Sequence, residues 1–501
     1  MALYDVVVVG GGNAAFCAAH AAREYAERVL IVEKAPPERA GGNSYFTAGA
    51  FRTAHNGLAQ LRPLLPDLTD EQSAVIDLPP YSEERYLTDL RRLTEGRCDP
   101  ELSAILVGDS FDTIRWMRAK GVRWELLYAR QSYRVGDRIQ FWGDLAIGAV
   151  GGGVGLMERH LEKARAVGIE IRYRSPVVEL SQGEDGIAGV ICRTETGRRL
   201  IEARAVVLAS GGFEADPRLR AAYLGPNWDL ARVRGSEYNT GEVLRLALAA
   251  GAQPYGHWSG CHSIAWGAQA PATGDWTLTN RLSRQNYPLG IVVNRQAKRF
   301  LDEGADFRNF TYAKYGAEIL KQPGGIAYQL FDAHTLGLLS AEDYGAHGTT
   351  RVEADSIRGL AEKLGLDPAA LEGAISEFNA AVQPGEFNPA IKDGKRTAGI
   401  DPPKSNWAQP LDRPPFVAFP VTCGITFTYG GLRVDADSRV IAQSGWPIPG
   451  LFAAGELVGG LFYHNYPGGS GLMAGSVFGR RAGAAAGRRA GEAALTLLFT
   501  E

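Results

Sequence analysis

Apolar positions change their spacing twice within the first forty residues. Leu3–Gly10 (LYDVVVVG) is a short, almost wholly apolar run rich in valine, the pattern of a parallel strand buried on both faces. The following stretch, GGGNAAFCAAHAAREYAERV, repeats small apolar residues at helical spacing, and VLIVEK (Val29–Lys34) is apolar and short again. Strand, helix and strand within about thirty residues predict a βαβ unit. Further on, ERYLTDLRRLTEG and ELSAILVGDSFDTIRWMRAKG alternate as amphipathic helices do. IEIRYRSPVVELSQ, GIAGVICRTE and RRLIEARAVVLASGG predict short strands parted by Gly, Asp and Ser turns. From about Asn239 to Gly430 the βα rhythm fades and tryptophan and proline accumulate, as expected of an inserted second domain. GLRVDADSRVI and GLFAAGE return to strand-like runs, and SGLMAGSVFGRRAGAAAGRRAGEAALTLLF closes the chain as a helix. The fold class expected is α/β (α+β overall), divided as 1–238, an inserted unit 239–425, and 426–501.

Composition narrows the chemistry. The 501 residues are 45% hydrophobic, enough for a large core, and the net charge of −3 argues for neither nucleic acid nor an anionic membrane surface. Five cysteines, Cys17, Cys98, Cys192, Cys261 and Cys423, contain no C-x-x-C pair, which counts against zinc, iron–sulfur and c-type haem sites. The first strand starts at Leu3, and no run of about 18 apolar residues occurs. A reduced, cytoplasmic, soluble protein is therefore expected. Glycine takes 62 positions, well above its usual share of about 7%. The glycines cluster (GGGNA, AGGNS, VGGGVGL, SGGF, PGGSG), as in loops that bring backbone against a ligand.

Gly10-Gly11-Gly12-Asn13-Ala14-Ala15 fits G-x-G-x-x-G/A between the first strand and its helix. Such a turn brings backbone N–H groups and the positive helix end against a pyrophosphate. Glu33, at the end of the second strand with Lys34 beside it, is placed to accept from ribose hydroxyls. More contacts follow: Gly41-Gly42-Asn43-Ser44, Val178, Ala209-Ser210-Gly211, Gly455-Glu456 and Gly469-Ser470-Gly471-Leu472. That many separated stretches fit FAD lying extended better than NAD.

The order GGGNAA…E, GGNS, ASGG, VVNRQAKRFLDE and PIPGLFAAGE…GG resembles the FAD-dependent succinate dehydrogenase/fumarate reductase flavoprotein superfamily over nearly the whole chain. The resemblance implies a Rossmann-type FAD-binding domain with an inserted, mobile capping domain. It also implies hydride transfer between a substrate carbon and flavin N5, paired with proton transfer at the adjacent carbon. Aligned without a gap from Gly455-Glu456, Tyr466 stands where soluble fumarate reductases carry a carboxylate-clamping arginine, and Phe427 stands where they carry a histidine. CGITF, GLFYHNYPGGSGLM and VNRQAKRFLDEGADFRNFTYAKYG are similar to the tricarballylate dehydrogenase subgroup. That likeness implies oxidation of tricarballylate to cis-aconitate and a separate membrane-associated iron–sulfur electron acceptor, with a quinone as the other candidate. Tyr466-Pro467-Gly468 also resembles the YPG of ketosteroid dehydrogenases, the alternative reading. Ser44 falls where membrane-bound relatives bond FAD covalently through histidine, so noncovalent FAD is expected.

The substrate-side candidates are Tyr466; His464, two residues earlier and on the same face if the segment is a strand; and His257 and His262, which bracket HWSGCH. To these are added Arg284, followed by Tyr287. Arg284 matches a family arginine only with a two-residue shift, because an ungapped count back from Asn294 lands on Asn286. Lys298–Glu303 as a proton relay and Arg134 and Arg138 as extra positive charge are weaker candidates, since charged turns are commonly solvated.

Overall fold

The computed structural model describes residues 3–345 and 348–498. The opening unit forms as expected: β1 (Tyr4–Val9), α1 (Asn13–Ala22) and β2 (Val29–Val32). β1 is central in an eight-stranded sheet whose order is Arg439–Ile441, Pro447–Ala453, Gly197–Leu208, β1, β2, Glu170–Arg172. The strands from Pro447–Ala453 through Glu170–Arg172 run parallel. The antiparallel pair Val177–Gly183 and Gly186–Thr194 extends from Gly197–Leu208. Val6, Val7 and Val8 have no exposed surface, and burying each such side chain contributes about 1.5–3 kcal/mol.

What fixes α1 against its neighbours is a seam of small residues. Gly479, Gly483 and Gly487, four apart on the closing helix Ser470–Leu498, face Ala14, Ala18 and Ala22 of α1. A Cβ on Gly479 would stand 2.5 Å from the Ala14 carbonyl oxygen, and one on Gly487 2.9 Å from that of Ala22. Glycine at this spacing lets the two backbones touch, and so the glycine-rich turn ahead of α1 is held rigidly.

A second, six-stranded sheet is organised by one long strand, Phe416–Leu432. It pairs with Arg232–Val233, Pro254–Gly267, Ile326–Phe331 and Val352–Ala354, and Ile291–Asn294 completes the sheet. Arg232–Val233 lies before residue 239, and Phe416–Leu432 runs through 425–426 without a break, so this sheet does not start or stop where the texture of the sequence changes. Its long strand instead carries backbone from the second sheet to the edge of the first. Among the described residues no helix is long and apolar enough to cross a membrane.

Candidate functional site

A cavity of about 460 Å³ runs from the βαβ turn to the long strand Phe416–Leu432. At one end Gly10, Gly12, Asn13 and Ala14 line it. Gly10 takes φ +119, where a Cβ would also collide with the Ala209 backbone. Gly12 and Gly42 face each other: a Cβ on Gly12 would meet nothing nearer than the Ser44 hydroxyl at 3.4 Å. Two facing glycines at the N-terminus of α1, where the Asn13 N–H donates to the Ser44 hydroxyl at 3.0 Å, form a cradle for a pyrophosphate at the positive helix end. Glu33 is buried on the adjoining wall and accepts from the Ala35 N–H at 2.7 Å. Burial lifts its carboxyl above the ordinary range, against opposing backbone N–H groups. Lys34 stands at the rim, bonded to Thr240 at 2.6 Å and paired with Glu242 at 3.0 Å.

Asn43, Ser44, Val178, Ala209, Ser210, Gly211, Gly455, Glu456, Gly469, Gly471 and Leu472 also line the cavity. Three expected contacts do not. Ala15 is packed in the core, Gly41 backs onto Tyr45 and Met157, and the Ser470 hydroxyl bonds that of Tyr86 at 2.7 Å. Acceptors and backbone donors thus follow one another along the whole groove, which fits an FAD from adenine ribose to ring system.

The far end is built of rings. Tyr466 enters from the turn before the closing helix, and its hydroxyl bonds that of Tyr312, on the helix Tyr312–Leu320. His262 packs edge-on to both, 4.9 Å from each ring centre, and stacks on Phe427 at 5.1 Å. Phe462 closes the group, 5.3 Å from Tyr466. Burial pushes the Tyr466 phenol up, and burial with the neighbouring Tyr466 pushes Tyr312 up further, so both stay protonated at neutral pH. Burial, then the Arg234 charge, holds His262 well below the usual imidazole range.

Arg234 is the charged member of this end. Its guanidinium lines the cavity; Nε donates to Asn280 Oδ1 at 2.9 Å, Nη2 to the same oxygen, and Nη1 to Thr426 Oγ1 at 2.9 Å. Arg308 is buried over Trp142 and lies outside the cavity lining. Its Nε and Nη1 have no hydrogen-bond partner, and the groups that face it most strongly are Tyr133, Tyr344, Tyr287 and Tyr312. Among the described residues neither arginine forms an ion pair.

Four expected substrate residues lie outside the cavity. His464 is not on a strand: it takes φ +60 in a tight turn, so it points away from Tyr466 and is 37% exposed, 3.9 Å from Glu95. His257 accepts from the His464 backbone N–H at 3.1 Å and stands 4.6 Å from its ring. It is separated from His262 by a bulge in the Pro254–Gly267 strand, and such a bulge re-aims side chains. Arg284 spends its guanidinium on the carbonyls of Arg281, Ser283 and Asp343 and the Thr349 hydroxyl. The Tyr287 hydroxyl bonds Thr311 at 2.6 Å. In the Lys298–Glu303 segment Arg299 and Glu303 form a buried ion pair at 2.5 Å, and the Arg138 guanidinium bonds the Ala74 carbonyl.

Comparison with known proteins adds four findings. A family model described as FAD binding domain matches residues 5–472. A probable fumarate reductase of Shewanella frigidimarina is 28% identical over 480 residues, covering 95% of this chain and 73% of that one. A 4-oxocyclohex-2-ene-1-carboxylate 5-dehydrogenase of Sinomonas cyclohexanicum is 30% identical over 370 residues, 66% of this chain and 58% of the relative. Among solved structures, the open conformation of a flavocytochrome c3 fumarate reductase superposes with a TM-score of 0.74 at 26% identity, covering 97% of this chain and 78% of that one.

Proposed function

The chain belongs to the FAD binding domain family and is an FAD-dependent oxidoreductase, and from that premise we propose that it oxidises a C–C single bond flanked by carboxylates, with tricarballylate, giving cis-aconitate, as the substrate. The observation that carries this reading is the buried guanidinium of Arg234, which lines the cavity near Tyr312 and Tyr466 and has no carboxylate partner. A buried cation without a counter-ion is unfavourable. A polycarboxylate supplies the missing negative charge, and a neutral substrate does not.

The bound flavin supplies the hydride acceptor. Arg234 keeps free donors for a fork-like grip on one substrate carboxylate. One proton of the bonded Tyr466–Tyr312 hydroxyl pair stays free of the bond between them; it donates to a second carboxylate and withdraws charge as the α-proton leaves. His262 is the proton acceptor of this scheme. Before substrate arrives, burial and Arg234 suppress its basicity; a carboxylate seated on Arg234 cancels that charge and raises it. Base strength is thereby delivered only with substrate in place. The electrons then leave for a separate acceptor, an iron–sulfur protein at the membrane or a quinone.

The test is anaerobic titration of the purified flavoprotein with tricarballylate, succinate, citrate, an oxocyclohexanecarboxylate and a 3-ketosteroid in turn. Bleaching of the oxidised flavin band by tricarballylate supports the reading. Bleaching by the cyclic oxo-acid or the steroid alone replaces it with a ketone dehydrogenase.

A further inference from the structure

Behind the cofactor groove two acidic side chains meet. Glu456 lines the cavity on the turn Gly455–Leu457. Glu214 is wholly buried and lies outside the lining. Its Oε1 accepts from the side-chain amides of Asn43 and Asn239, both at 2.6 Å. Its Oε2 is buried with no hydrogen-bond partner, and the carboxyl of Glu456 is the charged group that acts on it most strongly. Glu456 Oε1 accepts from the Thr428 N–H at 2.6 Å and the Thr428 hydroxyl at 3.0 Å. Two ionised carboxylates are acceptors only and cannot bond each other.

We propose that Glu214 carries a proton shared with Glu456, so that the pair presents one negative charge to the cofactor, and that cofactor binding and retention of this proton reinforce each other. The inference does not depend on the identity of the substrate.

The surroundings favour it. The groups bonded to the pair are neutral amides, a hydroxyl and backbone N–H. The charged and titratable neighbours of Glu214 are Glu456, the Cys261 thiol and Arg220. Arg220 gives its guanidinium to the carbonyls of Glu214, Trp228, Asp229 and Ala231, not to a carboxylate. Burial first, and the charge of Glu456 second, push the Glu214 carboxyl well above the ordinary range, so the proton stays at neutral pH. Glu456 still faces the open groove, and a cofactor filling that groove strips water from it. Loss of water raises the proton affinity of the pair, and by reciprocity the proton strengthens cofactor binding. FAD affinity is therefore greatest below the ionisation of the pair and falls as pH rises through it.

Glu214→Gln mimics the protonated acid: its carbonyl still serves Asn43 and Asn239, and its amide donates to Glu456. Reconstitution of apoprotein, followed by quenching of FAD fluorescence, gives Kd at about pH 7 and about pH 9. The wild-type Kd is expected to rise by about tenfold, the equivalent of one pH unit between apo and holo ionisation, and that of E214Q by less than about twofold. Infrared spectra of the wild-type holoprotein in H2O and D2O should contain a protonated-carboxyl stretch at neutral pH that E214Q lacks. Parallel pH responses in the two proteins overturn the proposal. So does absence of that stretch from the wild type, a measurement that needs no variant to fold.

Discussion

Replacing Arg234 with methionine removes the proposed carboxylate fork and leaves the cofactor groove intact. A guanidinium has five N–H donors, of which three are committed: two to Asn280 and one to Thr426. Two remain, one on each Nη. Each charge-assisted bond to a carboxylate is worth about 1.5–3 kcal/mol, so losing both removes about 3–6 kcal/mol of substrate binding. At about 1.4 kcal/mol per decade, KM for tricarballylate should rise roughly 10²- to 10⁴-fold. Arg234→Lys keeps the charge but gives up the second donor, and so falls between wild type and methionine. Stability should change little. The buried cation leaves without a counter-ion to strand, which offsets the roughly 1–3 kcal/mol lost where Asn280 and Thr426 are deprived of a donor. The assay is steady-state oxidation with an artificial acceptor, alongside substrate-induced perturbation of the flavin spectrum. If R234M keeps its flavin and binds tricarballylate with wild-type affinity, Arg234 is not the clamp and the polyanion argument fails with it.

Three further expectations follow from the same geometry. Gly12→Val places its branches in the open space between Gly12 and Gly42, where φ is −89 and no protein atom stands closer than 3.4 Å to the Cβ; the apoprotein should fold with an unchanged melting temperature yet retain no FAD, and yellow protein after gel filtration would refute the cradle. Tyr466→Phe should lower kcat by ~10- to 100-fold, about 1.4–2.7 kcal/mol of transition-state stabilisation, while KM changes less; an unaltered kcat would remove its hydroxyl from the chemistry. His20 and His55 are held down to about 4, chiefly by burial, whereas unfolded imidazoles titrate near 6.5. Their stabilisation is complete above about pH 6.5 and is lost as pH falls toward about 4, each side chain costing about 2 kcal/mol by pH 5. Urea midpoints at pH 7 and pH 5 check the sign, and equal midpoints would refute it.

The cofactor half of the molecule was legible in the sequence because its determinants are local. Gly10, Gly12 and Glu33 lie within one βαβ unit, and their spacing is set by strand and helix geometry. The substrate half was legible only in part. Tyr466 is announced by the adjoining glycines, and His262 by the HWSGCH run that it closes. Arg234 stands in an unremarkable VRG and owes its place to a two-residue strand paired with Phe416–Leu432, far away in sequence. Tyr312 and Arg308 sit in the stretch VNRQAKRFLDEGADFRNFTYAKYG, whose likeness to a known subgroup marked the segment without singling out either residue. His464 failed for a definite reason: alternation holds on strands, and a residue at φ +60 breaks it. Arg284 failed because a local pattern does not reveal which carbonyls a guanidinium will meet.

The choice between carboxylate and ketone chemistry turns on how the rings and the arginines act together. Tyr466 and Tyr312 alone suit either class, since a protonated phenol polarises a carbonyl as readily as it binds a carboxylate. The aromatic wall of Phe427, Phe462 and Tyr429 would even favour a flat, greasy molecule. On the proposed reading Arg234, the arginine that lines the cavity, favours the carboxylate. With an apolar ring in the cavity Arg234 stays buried without a counter-ion, and His262 stays under both burial and the Arg234 charge. In that reading a carboxylate on Arg234 compensates the cation and removes the second cause of the low His262 basicity, leaving burial as the first. Tyrosine at 466 then has a purpose that arginine would defeat. In the proposed scheme a further fixed cation there would add to the causes that hold His262 down, whereas a neutral phenol binds the second carboxylate without adding to them.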